Sequence, residues 1–270
     1  MMAVVLARGS GRRMQRPDGG ATLSAAQQAA ADAGAKVLMP VGAGTPRPFL
    51  DYALSALADA GCTDACLVVA PDHEAVRARY APDRCARLRV HFAVQAEPGG
   101  TAAAVAAAAP VVGTRPFLVV NGDNLYPPDA VRALVDLDTC GLSAFTRASL
   151  MHDSGFDVAR VARFATVEVD QRGWLTGLRE KPPTADLSAS APDTLISMNL
   201  WRFDASVLAA CHAVAPSPRG EYELPDAVML AVAHGTPVRV LTASGPVLDL
   251  TSRADIGVVS ARLAAREPRL

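Results

Sequence analysis

The chain is short of charge of either sign, of paired cysteines and of long apolar runs, and each shortage closes off a class of function. Its 270 residues carry a formal net charge of -1, with no basic patch along the sequence, so a polyanion-coating surface is excluded and no nucleic-acid partner is expected. The longest apolar stretch, around Thr101 to Val112, is dominated by alanine and interrupted by Pro110, which argues against a membrane span. Met1-Met2 lead straight into a strand with no basic leader or cleavage site, which implies the cytoplasm. The five cysteines, Cys62, Cys66, Cys85, Cys140 and Cys211, form no Cys-x-x-Cys pair and have no histidine at zinc spacing, so they read as reduced core thiols. There is no His-Glu-x-x-His motif, nucleophile elbow or Ser-His-Asp setting, and the histidines are scattered.

What is present is a hydrophobic content of 50% against 20% charged residues, enough to bury the core of one large α/β unit. Apolar runs of strand length alternate with segments of helical spacing through the first half. This order predicts a Rossmann-like, doubly wound, mostly parallel sheet. The second half changes character. Phe164 to Asp170 and Trp174 to Arg179 alternate around Gln171-Arg172-Gly173, a hairpin signal, and Leu195 to Phe203 reads as a further strand, so antiparallel strands are added there. Asp186 to Asp193 reads as a mobile surface loop, and Gly220 to Asp226 as the opening of a helix running to His234. The last helix, capped by Ser252, is expected to end near Arg266. The chain is divided into a first half, 1–140, a second half, 141–250, and a C-terminal helical segment, 251–270, of a single domain.

Several stretches carry chemistry. The strand Ala3 to Leu6 opens into Ala7-Arg8-Gly9-Ser10-Gly11-Arg12-Arg13, where glycines allow close approach of backbone amides to anionic oxygens and arginine adds forked, charge-assisted bonds. Lys36 lies in an apolar setting that holds it near this loop. Gly99-Gly100-Thr101 opens a helix whose amides could face a ligand. Asp123 ends a buried strand, where ligands bind in open α/β sheets, and is a metal candidate.

In this order the residues resemble the sugar-1-phosphate nucleotidylyltransferases, from the first strand to about Ile256. The resemblance rests on the glycine turn and arginine (Gly9, Gly11, Arg12), on Lys36 with Pro40-Val41, and on Gln95, Pro98, Gly100 and Thr101. It continues through Gly122-Asp123 and Glu180-Lys181-Pro182 to the late acid Asp249. It implies a GT-A-like nucleotidyltransferase fold and an activity of the EC 2.7.7 class. The partners implied are a nucleoside triphosphate, with UTP or dTTP favoured, and a sugar 1-phosphate, with Mg2+ as cofactor. By the same resemblance, Arg12, Lys36, Asp123 and Lys181 are catalytic. Leu6, Ala7, Gly9, Ser10, Gly11, Gln95, Gly100, Thr101 and Gly122 bind the nucleotide, Glu180, Lys181 and Asn199 the sugar phosphate, and Asp123 and Asp249 one or two magnesium ions. Glu221 and Asp226 resemble the family's acidic helix opening. The departures are Arg8 and Ala103, together with a longer segment between Arg12 and Lys36 that reads as a lid or an interface. Purine nucleotidyl transfer, cytidylyl transfer to choline phosphate and a non-catalytic nucleotide-sugar sensor stand as alternatives, and homo-oligomer formation is left open.

Overall fold

Five consecutive apolar side chains at Met2–Leu6 need partners on both faces, as a strand inside a parallel sheet has. The computed structural model, which describes residues 1–18, 20–81 and 84–270, places this segment in the middle of a nine-stranded sheet. In chain order the strands are β1 (Met2–Leu6), β2 (Pro40–Val41), β3 (Arg47–Pro48), β4 (Asp64–Val69), β5 (Arg89–Val94), β6 (Phe117–Asn121), β7 (Asn124–Leu125), β8 (Cys140–Thr146), β9 (Ala165–Val169), β10 (Leu175–Arg179), β11 (Leu195–Phe203), β12 (Val238–Ala243) and β13 (Leu248–Asp249). The main path is β10-β9-β11-β6-β1-β4-β5, with β8 paired to β11 and β12 to β8, and with β2-β3 and β7-β13 as separate two-stranded ladders. β1 runs parallel to β4 and β6, and β4 to β5. β11 is antiparallel to all three of its neighbours, and β9-β10 form the predicted hairpin. The alternation of β1 divides the core, with Ala3 and Val5 packing into one apolar layer and Met2 and Val4 into the opposite one.

Several sequence expectations are corrected. Asp186 lies in a helix, Thr184–Ala189, rather than in a loop, because Leu187 is a buried anchor. The helix expected from Gly220 begins only at Leu224, since Ser217 to Tyr222 is stitched by backbone bonds to itself and to Gly99. Only Asp226 of the acids remains in its first turn. The last helix stops at Leu263. The helix over Ala102 to Ala109 is two short ones, Thr101–Ala107 and Ala109–Val112, divided before Pro110. β8 went unread because Gly141 and Ser143 mask its apolar run. A Cβ on Gly141 would come within 2.4 Å of the Leu137 side chain, and Ser143 is buried with its hydroxyl donating to the Ala130 carbonyl at 2.8 Å.

Two buried acids tie helices and strands together. Asp51, on helix Phe49–Asp59, is 0% exposed and accepts hydrogen bonds from Arg79 Nε at 3.2 Å and the Tyr80 hydroxyl at 2.7 Å. Asp64 opens β4 and accepts from Thr63, Arg89 and His91 at 2.8 to 3.0 Å. Burial pushes the Asp64 carboxyl up, but those three hydrogen bonds outweigh it and hold the group well below the usual carboxylate range. A depressed folded pKa gives stability that is full above the unfolded value of about 3.9 and is lost as pH falls toward the folded one. Acid unfolding of Asp64→Asn is therefore expected to show a shallower loss of stability below pH ~4 than the parent. Parallel slopes in urea titrations down to pH 2.5 would contradict this.

Candidate active site

The turns that follow the C-terminal ends of β1, β4, β5 and β6 converge, and two adjoining cavities open between them. The larger, about 610 Å3, lies among the β1 loop, Lys36 and the turn at Asp72-His73. The smaller, about 370 Å3, lies among Gln95, Thr101, Asn199, Glu221 and Glu223. Leu6, Arg8, Gly9, Ser10, Pro98 and Asp123 line both.

The glycines have different jobs. Gly9 has open space where a side chain would be, so its surroundings can take a ligand. Gly11 (φ +62°) and Gly34 (φ +67°) instead let two backbones meet: a Cβ on Gly11 would fall 2.2 Å from the Gly34 carbonyl oxygen. Gly11→Ala is expected to destabilise the fold by at least ~1–2 kcal/mol from the left-handed conformation alone. The clash also displaces the loop, so the variant should bind nucleotide more weakly, as read by thermal shift with added NTP. Wild-type binding in a folded Gly11→Ala protein would sink this reading. Gly100 (φ +96°) is likewise demanded by protein, not ligand, since its Cβ would lie 2.6 Å from the Tyr222 carbonyl oxygen. The Ala102 amide donates to that same carbonyl and the Leu224 amide to the Thr101 hydroxyl, so these groups of the helix opening are already engaged.

Lys36 stands on a short 3₁₀ turn, Lys36–Leu38, and its ammonium donates to Asp123 Oδ2. Asp123 follows β6, where the Gly122 amide donates to the Leu6 carbonyl at 2.9 Å and so fixes the acid against the β1 loop. Among the described residues, Lys36 is the one hydrogen-bond donor to the Asp123 carboxylate, whose side chain is 25% exposed. Arg12 lines the larger cavity, whereas Arg13 does not. Gln95 is buried and braces its own loop by donating to the Gly100 carbonyl at 3.1 Å, which leaves its amide oxygen for a ligand. Arg8 spans the same loop and donates to the carbonyls of Gln95 and Ala96, each at 3.4 Å. His73 was missed by sequence reading; burial pushes its imidazole down, with Asp72 opposing and Arg8 adding to the effect.

Asn199 and Lys181 are the two non-glycine residues with positive φ, +58° and +48°, among the described residues. Such conformations cost energy and cluster at functional positions. At Asn199 the cause is visible. β11 leaves β9 after Ser197 and joins β6 at Trp201, and the irregularity between them turns Asn199 into the smaller cavity, its side-chain oxygen accepting from Trp201 Nε1 at 3.2 Å. Glu180 and Lys181 leave β10 outside both cavity walls and lie 3.5 Å apart. Burial pushes the Glu180 carboxyl up; Lys181 opposes this and Glu223 adds to it.

Asp249 is brought beside Asp123 by the β7-β13 ladder, with the Leu250 amide donating to the Asp123 carbonyl at 2.9 Å. Its side chain is buried, and burial, then the Asp123 charge, push its carboxyl up, with Arg160 opposing. Arg160 had no motif to announce it. No group of three His, Cys, Asp or Glu side chains suited to a metal occurs among the described residues.

The segment between Arg12 and Lys36 is docked on the C-terminal helix. Helix Ala25–Asp32, opened by a Ser24–Gln27 capping box, shares an apolar cluster with Ile256, Val259 and Leu263. Arg253, itself buried, donates to the Met14 carbonyl at 2.9 Å and to Asp32 Oδ1 at 2.6 Å.

Comparison with known proteins bears on the family and the fold. The family model for nucleotidyl transferase matches residues 2–265. A glucose-1-phosphate thymidylyltransferase of Streptomyces antibioticus is 30% identical over 276 residues, spanning 100% of this chain and 68% of that protein. The UTP–glucose-1-phosphate uridylyltransferase AglF of Haloferax volcanii is 26% identical over 207 residues, 76% of this chain and 79% of its own. Among solved structures, a Bacillus anthracis protein described as a glucose-1-phosphate thymidylyltransferase superposes with a TM-score of 0.73 at 20% identity, covering 99% of this chain and 97% of that one. A UDP-glucose pyrophosphorylase complexed with UDP-glucose gives 0.70 at 15% identity, with 97% of each chain covered. These likenesses carry the fold, and the family match carries the class of chemistry. The chain is thus a nucleotidyltransferase, a member of the sugar-1-phosphate nucleotidylyltransferase family.

Proposed function

We propose that the chain transfers a nucleoside monophosphate from UTP or dTTP to a sugar 1-phosphate, releasing pyrophosphate, as a cytoplasmic enzyme. The observation that carries this is the position of Asp123, bonded by Lys36, on the wall that the two cavities share. The sugar 1-phosphate is already an anion near neutral pH, with a second pKa of about 6, so no strong general base is required. The demand is to hold two anions together and spread the charge that develops as pyrophosphate leaves.

In this reading Gly9, Ser10 and Arg12 hold the triphosphate in the larger cavity, beside Leu6 and Ala7, and Lys36 neutralises part of its charge. The Gln95 amide oxygen accepts from a base N–H in the smaller cavity, with Gly100 and Thr101 shaping the wall and Gly122 holding Asp123 against the β1 loop. Asn199 keeps its amide N–H groups for acceptor hydroxyls, because Trp201 occupies its oxygen. Lys181 and Glu180 close over the sugar phosphate from the β10 end. A divalent cation fits Asp123, a partly exposed carboxylate with a single protein donor on it, and magnesium bound there would supply charge neutralisation at the phosphates. The five buried thiols, free in the structure, are in keeping with a reducing compartment.

The test is pyrophosphate release with Mg2+ across the nucleoside triphosphates, each against hexose and hexosamine 1-phosphates. Turnover with dTTP or UTP and one such acceptor is the expected result. Nucleotide binding by thermal shift with no turnover on any pair would replace this proposal with that of a sensor.

A further inference from the structure

Asp249 does not fit a metal ligand. Both of its oxygens are spoken for: Oδ2 accepts from Arg160 Nε at 3.2 Å and Nη2 at 2.9 Å, and Oδ1 accepts from the Thr251 hydroxyl at 2.8 Å. The guanidinium thus sets two charge-assisted hydrogen bonds on the one oxygen, Oδ2. Arg160 is in turn fixed from every side. Its Nη2 also donates to the Asp249 carbonyl, its Nη1 bonds Asp255, and its guanidinium lies 4.5 Å from the centre of the Phe156 ring. Asp255 cannot swing away, because its other oxygen takes the Thr251 and Ser252 amides at 2.9 and 2.6 Å. Asp157 caps the turn that carries Arg160 by accepting from the Arg160 amide at 2.7 Å.

We infer that Arg160 is a built-in cation that replaces metal at Asp249, leaving Asp123 as the sole carboxylate ligand to a divalent ion among the described residues. The inference rests on the proposed magnesium site at Asp123. Geometry favours it: an ion held by both acids would have to displace the half-buried Arg160 guanidinium from its three hydrogen bonds to Asp249. Asp249 and Arg160 are then positioning residues. Through the β7-β13 ladder they hold the Asp123 backbone in place.

The experiment is Mn2+ binding by electron paramagnetic resonance to the full chain saturated with α,β-methylene-dTTP, corrected for Mn2+ held by the analogue alone. Wild type, Asp123→Asn and Asp249→Asn are compared. The expected result is that Asp249→Asn binds Mn2+ within about threefold of wild type, while Asp123→Asn weakens it by 30-fold or more. Equal weakening by the two variants would make Asp249 a ligand and overturn the inference, leaving the Asp123 site intact. Absence of protein-dependent Mn2+ binding in wild type would overturn the metal site and this inference together. Should Asp249→Asn not fold, Mn2+ anomalous scattering from wild-type crystals decides. Manganese on Asp123, with Asp249 still bonded to Arg160, supports the inference, and manganese on both acids refutes it.

Discussion

Asp123→Ala is expected to lower pyrophosphate release on the order of 10³-fold while leaving the protein folded. The acid stands at the point shared by both cavities, and in the proposed function it is where a metal would neutralise substrate charge. Its loss removes that centre and leaves Lys36, 13% exposed, without its carboxylate. The unpaired ammonium retains access to water and to phosphate from the larger cavity, so the stability cost should be small beside the loss of rate. Thermal melting separates the two effects. A melt close to the parent's, with rates at saturating Mg2+ above a tenth of wild type, would remove Asp123 from the chemistry. A matching fall in nucleotide-analogue affinity would instead assign it to ground-state binding, because a group needed only at the transition state changes kcat and not KM.

The largest effect on stability is expected away from the cavities. Asp51→Ala leaves the buried Tyr80 hydroxyl facing an apolar hole, while the Arg79 side chain, 37% exposed, turns to water, and an unsatisfied buried donor of this kind costs ~1–3 kcal/mol. Burial, and then the Asp51 charge, already push the Tyr80 phenol far up, so it cannot ionise to find another partner. Against a typical total of ~5–15 kcal/mol this is a large share. Urea unfolding should show a lower midpoint with an unchanged slope, and Asp51→Asn, which keeps the shape and an acceptor for Tyr80, should fall less. A change below ~1 kcal/mol in Asp51→Ala would mean that Arg79 and Tyr80 find water at no cost. Specific activity per folded molecule should not move in either variant.

The parallel half of the fold was readable because β1, β4 and β6 are nearly unbroken apolar runs ending in turns. β8 was not, since glycine and serine there satisfy packing and hydrogen-bond demands set by Leu137 and Ala130, which no alternation along the strand announces. In the same way the loop residues Gly9, Gln95, Asp123 and Asn199 could be picked out singly, as residue types suited to anions, bases and metals. Their functions divide differently in three dimensions. Gly11 and Gly100 look like ligand-facing glycines, yet the backbones of Gly34 and Tyr222 occupy the space beside them. Asp249 has the sequence setting of a ligand, whereas its contact with Arg160, 89 residues away, is visible only in the fold. An arginine in Asp157-Val158-Ala159-Arg160 obeys no spacing rule, so only folding reveals its partner.

Arg253 reaches the carbonyl of Met14 across 239 residues of sequence. This couples the order of synthesis to competence. While the chain is being made, β1 and its glycine turn emerge first, but the bend between Gly11 and Gly34 lacks its anchor until helix Arg253–Leu263 has left the ribosome. Chains that have not yet made this helix lack that tie, so nucleotide capture is expected to follow its synthesis.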